Sequence, residues 1–373
     1  MGSAPSNNRI EDIESKPSIQ KESITSTDDY SILDDEQPFE EFNLNIQKLE
    51  KSFQLITNLK TSSNILNNKR AFKSFLFMSK LSMIDEFRES RSQYNLLVKY
   101  KTIINIFSEM YANCYEDIKN FVSFYEFLND ANKKGDLKFQ KLKINFLFIN
   151  NLNNLVWLFT ECSQTFRSSF HETGATATLI NLYLNNKEFV LNCLKFKFEI
   201  SKKDENLAPG LQLLRALIGI CHNLTKLIDN TKTDWTKIDA CSKLMSFSQT
   251  IHKYPDIRLS AYMALANVMC ENDVEKLNTT EVIKDIVKIV KQGAELIVNK
   301  NDLKRIKINL DIDENSSTEA AVIIYRDNQY NIVELLETLN RIAVIDKIKF
   351  TLYKDYGMNQ TLKMIIIDGN YIG

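Results

Sequence analysis

Glycine and proline are so scarce in this chain that few folds other than long helices remain open to it. The 373 residues hold 9 Gly and 5 Pro, where average usage would give roughly three times as many. Strands need turns, and turns draw on Gly, Pro, Asn and Asp. Here Asn and Asp are left to serve as caps and connectors. Apolar residues recur at three- and four-residue spacing in Phe42–Leu59, Phe72–Ile84, Tyr94–Cys114, Ile118–Leu128 and Leu137–Cys162. The same period runs through Ala175–Leu184, Leu211–Ile228, Ile238–Ile251, Ile257–Cys270 and Val282–Val298. It resumes in Ala320–Tyr325, Ile332–Phe350 and Leu362–Ile367, so the chain reads as all-α. Pro209 and Pro255 stand where helices should enter, since a first-turn residue needs no N–H. Ser316 with Glu319 and Asn278 with Glu281 fit capping boxes. Met364–Ile367 is β-branched enough to be read either way.

Charge divides the chain. Residues 1–41 carry eleven acids and three bases (Arg9, Lys16, Lys21), a local net of −8, which leaves +7 on the remainder. Rich in Ser, Asp, Glu and Asn and lacking an apolar period, this stretch reads as a disordered acidic tail. Such a tail is ordinarily a solvating one, and it could also fold over a basic surface. The expected organisation is a tail over 1–41, a helical N-terminal cap or degenerate repeats over 42–139, and repeats over 140–373. The longest uncharged run, Ile144–Thr160, carries Asn145, Asn150, Asn151, Asn153 and Asn154. Five amides in so short a segment disfavour a membrane span and favour a buried helix pair broken near Asn150.

Internal similarity points further. Trp157–Cys162, Arg215–Ile220, Met263–Val268 and Glu337–Ile342 share a helical face, and Met263–Val268 reads Met-Ala-Leu-Ala-Asn-Val. These segments resemble the third helix of armadillo repeats, a Trp-Ala-Leu-Ser-Asn-Ile type. Gly174-Ala175 followed by Thr178–Leu182 looks like the opening of the second helix, with Gly174 at the tight turn, and Tyr356-Gly357 before Leu362 repeats the theme. Equivalent positions lie 58, 48 and 74 residues apart, against about 40 per repeat. Insertions near Lys195–Pro209 and Asn299–Ser317 would absorb the excess. The resemblance implies an armadillo-like right-handed α-solenoid that binds a protein or peptide partner in a concave groove. By that resemblance the groove-facing residues are Trp157, Glu161, Arg215, Gly219, Met263, Asn267, Glu337 and Arg341. Armadillo proteins that clamp extended peptides use a ladder of Trp and Asn; here Trp survives only at 157 and Asn only at 267, which favours a divergent partner. The chain is also similar to the helical portion of invertebrate armadillo proteins that continue into a TIR signalling domain. Its last repeat stops short at Gly373, where an uncapped solenoid would expose apolar surface. The reading is therefore of a non-enzymatic partner-binding scaffold, with two alternatives: a regulatory module of a longer signalling chain, and nucleotide sensing by Arg215, Arg341 and the basic insertions.

Catalytic chemistry is not signalled. The three histidines, His171, His222 and His252, form no H-x3-H unit, and the six cysteines form no C-x2-C. With no secretory signal, widely spaced cysteines point to a reducing, cytoplasmic setting. Asp311, Asp313 and Asn315 begin like a calcium loop, which fails at Ser316 and Val322. Phosphate-binding glycine loops and nucleophile elbows are absent from the sequence. No metal, cofactor or enzymatic activity is expected. The lysine clusters at 133–143, 195–203 and 300–307 are mixed with acids and read as solvated surface, so nucleic acid is not expected. Met1-Gly2-Ser3-Ala4-Pro5-Ser6 satisfies the N-myristoylation pattern at Gly2. The same start is also commonly introduced by cloning. One acyl chain alone gives only reversible membrane contact.

Overall fold

A computed structural model describes residues 50–52, 54, 55, 58, 73, 102–113, 115, 119, 150–161 and 163–195. It also describes 209–226, 232–270, 273, 283–291, 304–309, 317–325, 328–344 and 346–368. The acidic tail, Gly2, most of 42–139, the Asn278 capping box, the 196–208 insertion and the start of the calcium-like loop lie outside those residues. Helices dominate what is described. In chain order they are α1 (Thr102–Asn113), α2 (150–161), α3 (Gln164–Glu172), α4 (Ala175–Thr178), α5 (Lys187–Lys195), α6 (Pro209–Thr225) and α7 (Lys232–Lys237). There follow α8 (Ala240–Thr250), α9 (Pro255–Val268), α10 (283–291), α11 (Ile332–Ile342), α12 (Asp346–Lys354) and α13 (Met358–Asp368).

The entrances follow local chemistry. Pro209 and Pro255 are the first residues of α6 and α9. Ser163 caps α3, its hydroxyl accepting from the Phe166 N–H at 3.1 Å. Gly174 turns the chain between α3 and α4 at φ 82, in the left-handed region that glycine enters freely. Gly357 does the same before α13, at φ 58. After α4 the helix loosens into a π-helix over Leu179–Leu184, where the Asn185 N–H reaches the Ile180 carbonyl at 2.9 Å. That turn sets Tyr183 inward, and its hydroxyl donates to the Tyr111 carbonyl at 2.7 Å. Tyr111, Tyr115, Phe170, Phe189 and Tyr183 meet edge to face or tilted around it.

Helices α6, α9 and α11 lie side by side, with α5 and α8 packed behind α6 and α9. From Gly210 to Thr225 nearly every residue of α6 is buried, as expected of a helix apolar all round. Its start presses against the end of α5: a Cβ on Gly210 would lie 2.0 Å from the Cys193 carbonyl oxygen. Helix α9 divides its faces between two cores. Ile257, Ala261, Ala264 and Leu265 join the first, built from α1 to α8. Leu259, Tyr262, Met263 and Ala266 join the second, with Ile283, Ile286, Leu335 and Leu339 of α10 and α11. Helix α9 thus joins the two cores.

One segment departs from the all-α expectation. Residues Lys304–Asn309 (β1), Ser317–Tyr325 (β2) and Asn328–Asn331 (β3) form an antiparallel sheet in the order β1-β2-β3. Ile306 pairs with Ala320, and Ile323 with Tyr330. The helix expected over Ala320–Tyr325 is therefore a strand, Glu319 lies within it, and Ser316 of the expected capping box is outside the described residues. A six-residue apolar run satisfies either period, and the β-branched, aromatic Val322-Ile323-Ile324-Tyr325 tips it to strand once a partner strand is supplied. The expected Ile332–Phe350 helix is two, α11 and α12, separated after Ile342. Met364–Ile367 lies within α13.

Candidate functional site

The lateral neighbours among α2, α6, α9 and α11 are joined by polar groups. Asn223 of α6 donates to the Thr160 hydroxyl (3.3 Å) and the Trp157 carbonyl (3.4 Å) of α2. Asn267 of α9 donates to the Thr225 hydroxyl at 3.0 Å, and Thr225 in turn to the His222 carbonyl at 2.7 Å. Lys226, just past α6, pairs with Glu334 of α11 at 2.5 Å. The bonds Asn223–Thr160, Asn267–Thr225 and Lys226–Glu334 therefore form a polar seam across the four helices. Thr160, Asn223 and Thr225 are buried, so each would be costly without its partner.

His222 sits at the cation-rich end of that seam. It is buried, and burial drives its pKa down to about 3. Lys226, Arg167 and Arg341 push in the same direction, while Glu334 opposes them. The imidazole is neutral at physiological pH. Burial pushes the Glu334 carboxyl up, but the Lys226 and Arg167 cations outweigh it and hold it below the ordinary range. Arg167 also donates to the Thr160 and Glu161 carbonyls, at 2.9 and 3.4 Å, where a cation suits the C-terminus of α2. Three cations thus stand against one buried-side acid around a neutral histidine.

The structure sorts the eight groove residues expected from sequence. Trp157 is half-buried with its indole laid on Gly219, and a Cβ there would come within 2.5 Å of the ring. Gly219 is therefore a packing position. Arg215 is held by buried Asp256 at 2.7 and 2.8 Å and ties α6 to α9. Met263, expected on the groove, belongs to the second core, with 1% of its surface exposed. The reason is register: Arg215 meets Asp256 and Thr225 meets Asn267, offsets of 41 and 42, whereas the aligned segments place Arg215 opposite Met263. Asn267 is on the seam, Arg341 is half-buried near His222, and Glu161 and Glu337 are exposed. Arg167, Asn223, Thr225, Lys226 and Glu334 escaped the sequence reading. Lys226 four residues after His222, and Glu334 seven before Arg341, were the available signals, since each pair shares a helix face.

Among the described residues no group of three or more His, Cys, Asp or Glu could hold a metal ion. Nor, among them, is any helix long and apolar enough to cross a membrane. Cys193 and Cys221 are buried free thiols, raised well above and to about 12 by burial, which makes them inert. Comparison with known proteins finds no matching family model, no matching curated protein and no matching solved structure.

Proposed function

We propose that the protein is a non-catalytic binding scaffold, an armadillo-like right-handed solenoid whose α2–α6–α9–α11 face holds a protein or peptide partner. The polar seam carries this reading: polar groups at the end of α6 bond α2, α9 and α11 to one another. The 41- and 42-residue offsets between bonded neighbours on α6 and α9 also fit a repeat of about 40–47 residues. The surplus of cations at Arg167, Lys226 and Arg341 suits a partner that offers an acidic segment. Buried free thiols fit a reducing, cytoplasmic setting. Quantitative capture from cell extract with the native chain and a Glu161→Lys, Glu337→Lys, Arg341→Glu variant tests it. A set of proteins lost specifically from the variant is expected; identical sets from both would refute the assignment of this face.

A second reading is favoured by one observation, the half-buried Trp157 indole on Gly219, one turn of α6 from His222 and the cations around it. A flat aromatic one helical turn from a cluster of positive groups suits an anionic small molecule with a ring, such as a nucleotide, acting on the scaffold as a regulator. Arg215, expected to serve such a ligand, is engaged by Asp256 and takes no part in this reading. Thermal unfolding with a panel of nucleotides separates the readings, because only a small-molecule site shifts the midpoint without a protein partner.

A further inference from the structure

Helix α12 turns an apolar and basic face outward. Ile348 is its buried anchor, while Phe350 and Tyr353 are 58% and 64% exposed. They lie three residues apart, hence on one face, and Lys347 and Lys354 flank them on the same turns. The Lys354 ammonium stands over the Phe350 ring at 5.0 Å. Val344 just before α12 and Leu362 on α13 are further exposed apolar residues, and Lys363 beside Leu362 is exposed as well. Lys349 is exposed and pairs with Asp346 at 3.1 Å. Over 344–363 the exposed charges are Lys347, Lys349, Lys354 and Lys363 against Asp346 and Asp355, a positive surplus.

Large exposed aromatics on a soluble surface mark a contact when they cluster. We propose that this face of α12, with Leu362 and Lys363 of α13, docks on an anionic lipid membrane. Phenylalanine, tyrosine and leucine settle at the boundary between headgroups and acyl chains, while lysines around them meet acidic headgroups. The aliphatic Val344 and Leu362 favour a lipid surface over nucleic acid, because they offer no ring on which a base could stack. The face is separate from the seam, which is built on α2, α6, α9 and Glu334 of α11.

The test is co-sedimentation of the full chain, with an unmodified N-terminus, against phosphatidylcholine vesicles with and without phosphatidylserine. The expected result is binding only to the phosphatidylserine vesicles, weakened as salt is raised. Phe350→Ala with Tyr353→Ala should cut the bound fraction at least about fivefold, and Lys347→Glu with Lys354→Glu should do the same. Lys253→Glu, an exposed lysine after α8, should bind like the native chain. Circular dichroism confirms that each variant is folded. Equal binding by the native chain and the α12 variants, or no binding to either vesicle, overturns the proposal. So does native binding to single-stranded RNA, or self-association, that the α12 variants abolish in place of vesicle binding.

Discussion

His222 shows how the fold sets the chemistry of a single residue. Its folded pKa of about 3 lies below the ordinary value of 6.5, so below that value the unfolded chain binds a proton that the native chain refuses. Stability is full above pH 6.5 and declines as pH falls towards 3, with a slope of up to about 1.4 kcal/mol per pH unit. Urea unfolding at pH 6.5 and pH 5 should therefore differ by about 2 kcal/mol from this group, and His222→Gln should flatten the difference. Glu334 works in a lower window: its depressed pKa contributes stability that is lost only as pH falls through its folded value. Gly219 makes a steric claim. With the Trp157 ring 2.5 Å from where a Cβ would be, Gly219→Ala should cost about 1–3 kcal/mol and shift tryptophan emission as the indole is displaced. An unchanged spectrum and midpoint would show that the ring yields freely.

At the scale of elements, the joint between α6 and α9 is the clearest case. Asp256 is 3% exposed and its carboxylate takes both Arg215 contacts. Removing one partner of a buried pair leaves the other's charge under-compensated, so Arg215→Ala should destabilise by about 3–5 kcal/mol in urea unfolding. A loss of ligand binding with unchanged stability would return Arg215 to the groove role expected from sequence. The helices themselves were legible, because long apolar periods and Pro209, Pro255 and Gly174 punctuate them with local chemistry. The β-sheet was not, since pairing of Lys304–Asn309 with Ser317–Tyr325 depends on a neighbour that periodicity does not see. The positions of the expected groove residues were legible only in part. Trp157, Asn267 and Arg341 stand at or beside the seam, but Met263 went astray because aligning motifs along the chain does not fix which residues meet across helices. Arg167 could not be read at all: it acts from α3 by reaching the end of α2, a contact set by the turn at Ser163.

For the whole molecule, the sharing of α9 between two cores makes them one cooperative unit. Met263→Ala removes contacts only in the second core, at a cost of about 2–5 kcal/mol. Because both tryptophans sit in or against the first core, their fluorescence should nevertheless report the lowered midpoint, in step with circular dichroism. A fluorescence transition left in place would mean that the two cores melt apart. The fold gathers Arg167, Lys226 and Arg341 from three parts of the chain around His222, at the end of α6 that also bonds α2 and α9. Trp157 lies on Gly219, one turn before His222 on α6, so its emission reports most directly on that convergence. In a Trp235→Phe background at low salt, its emission should change saturably as pyrophosphate, a compact stand-in for an acidic group, is added. Arg341→Glu should abolish that change. No response in the native background, or the same response after Arg341→Glu, would contradict an anion-binding face on these helices.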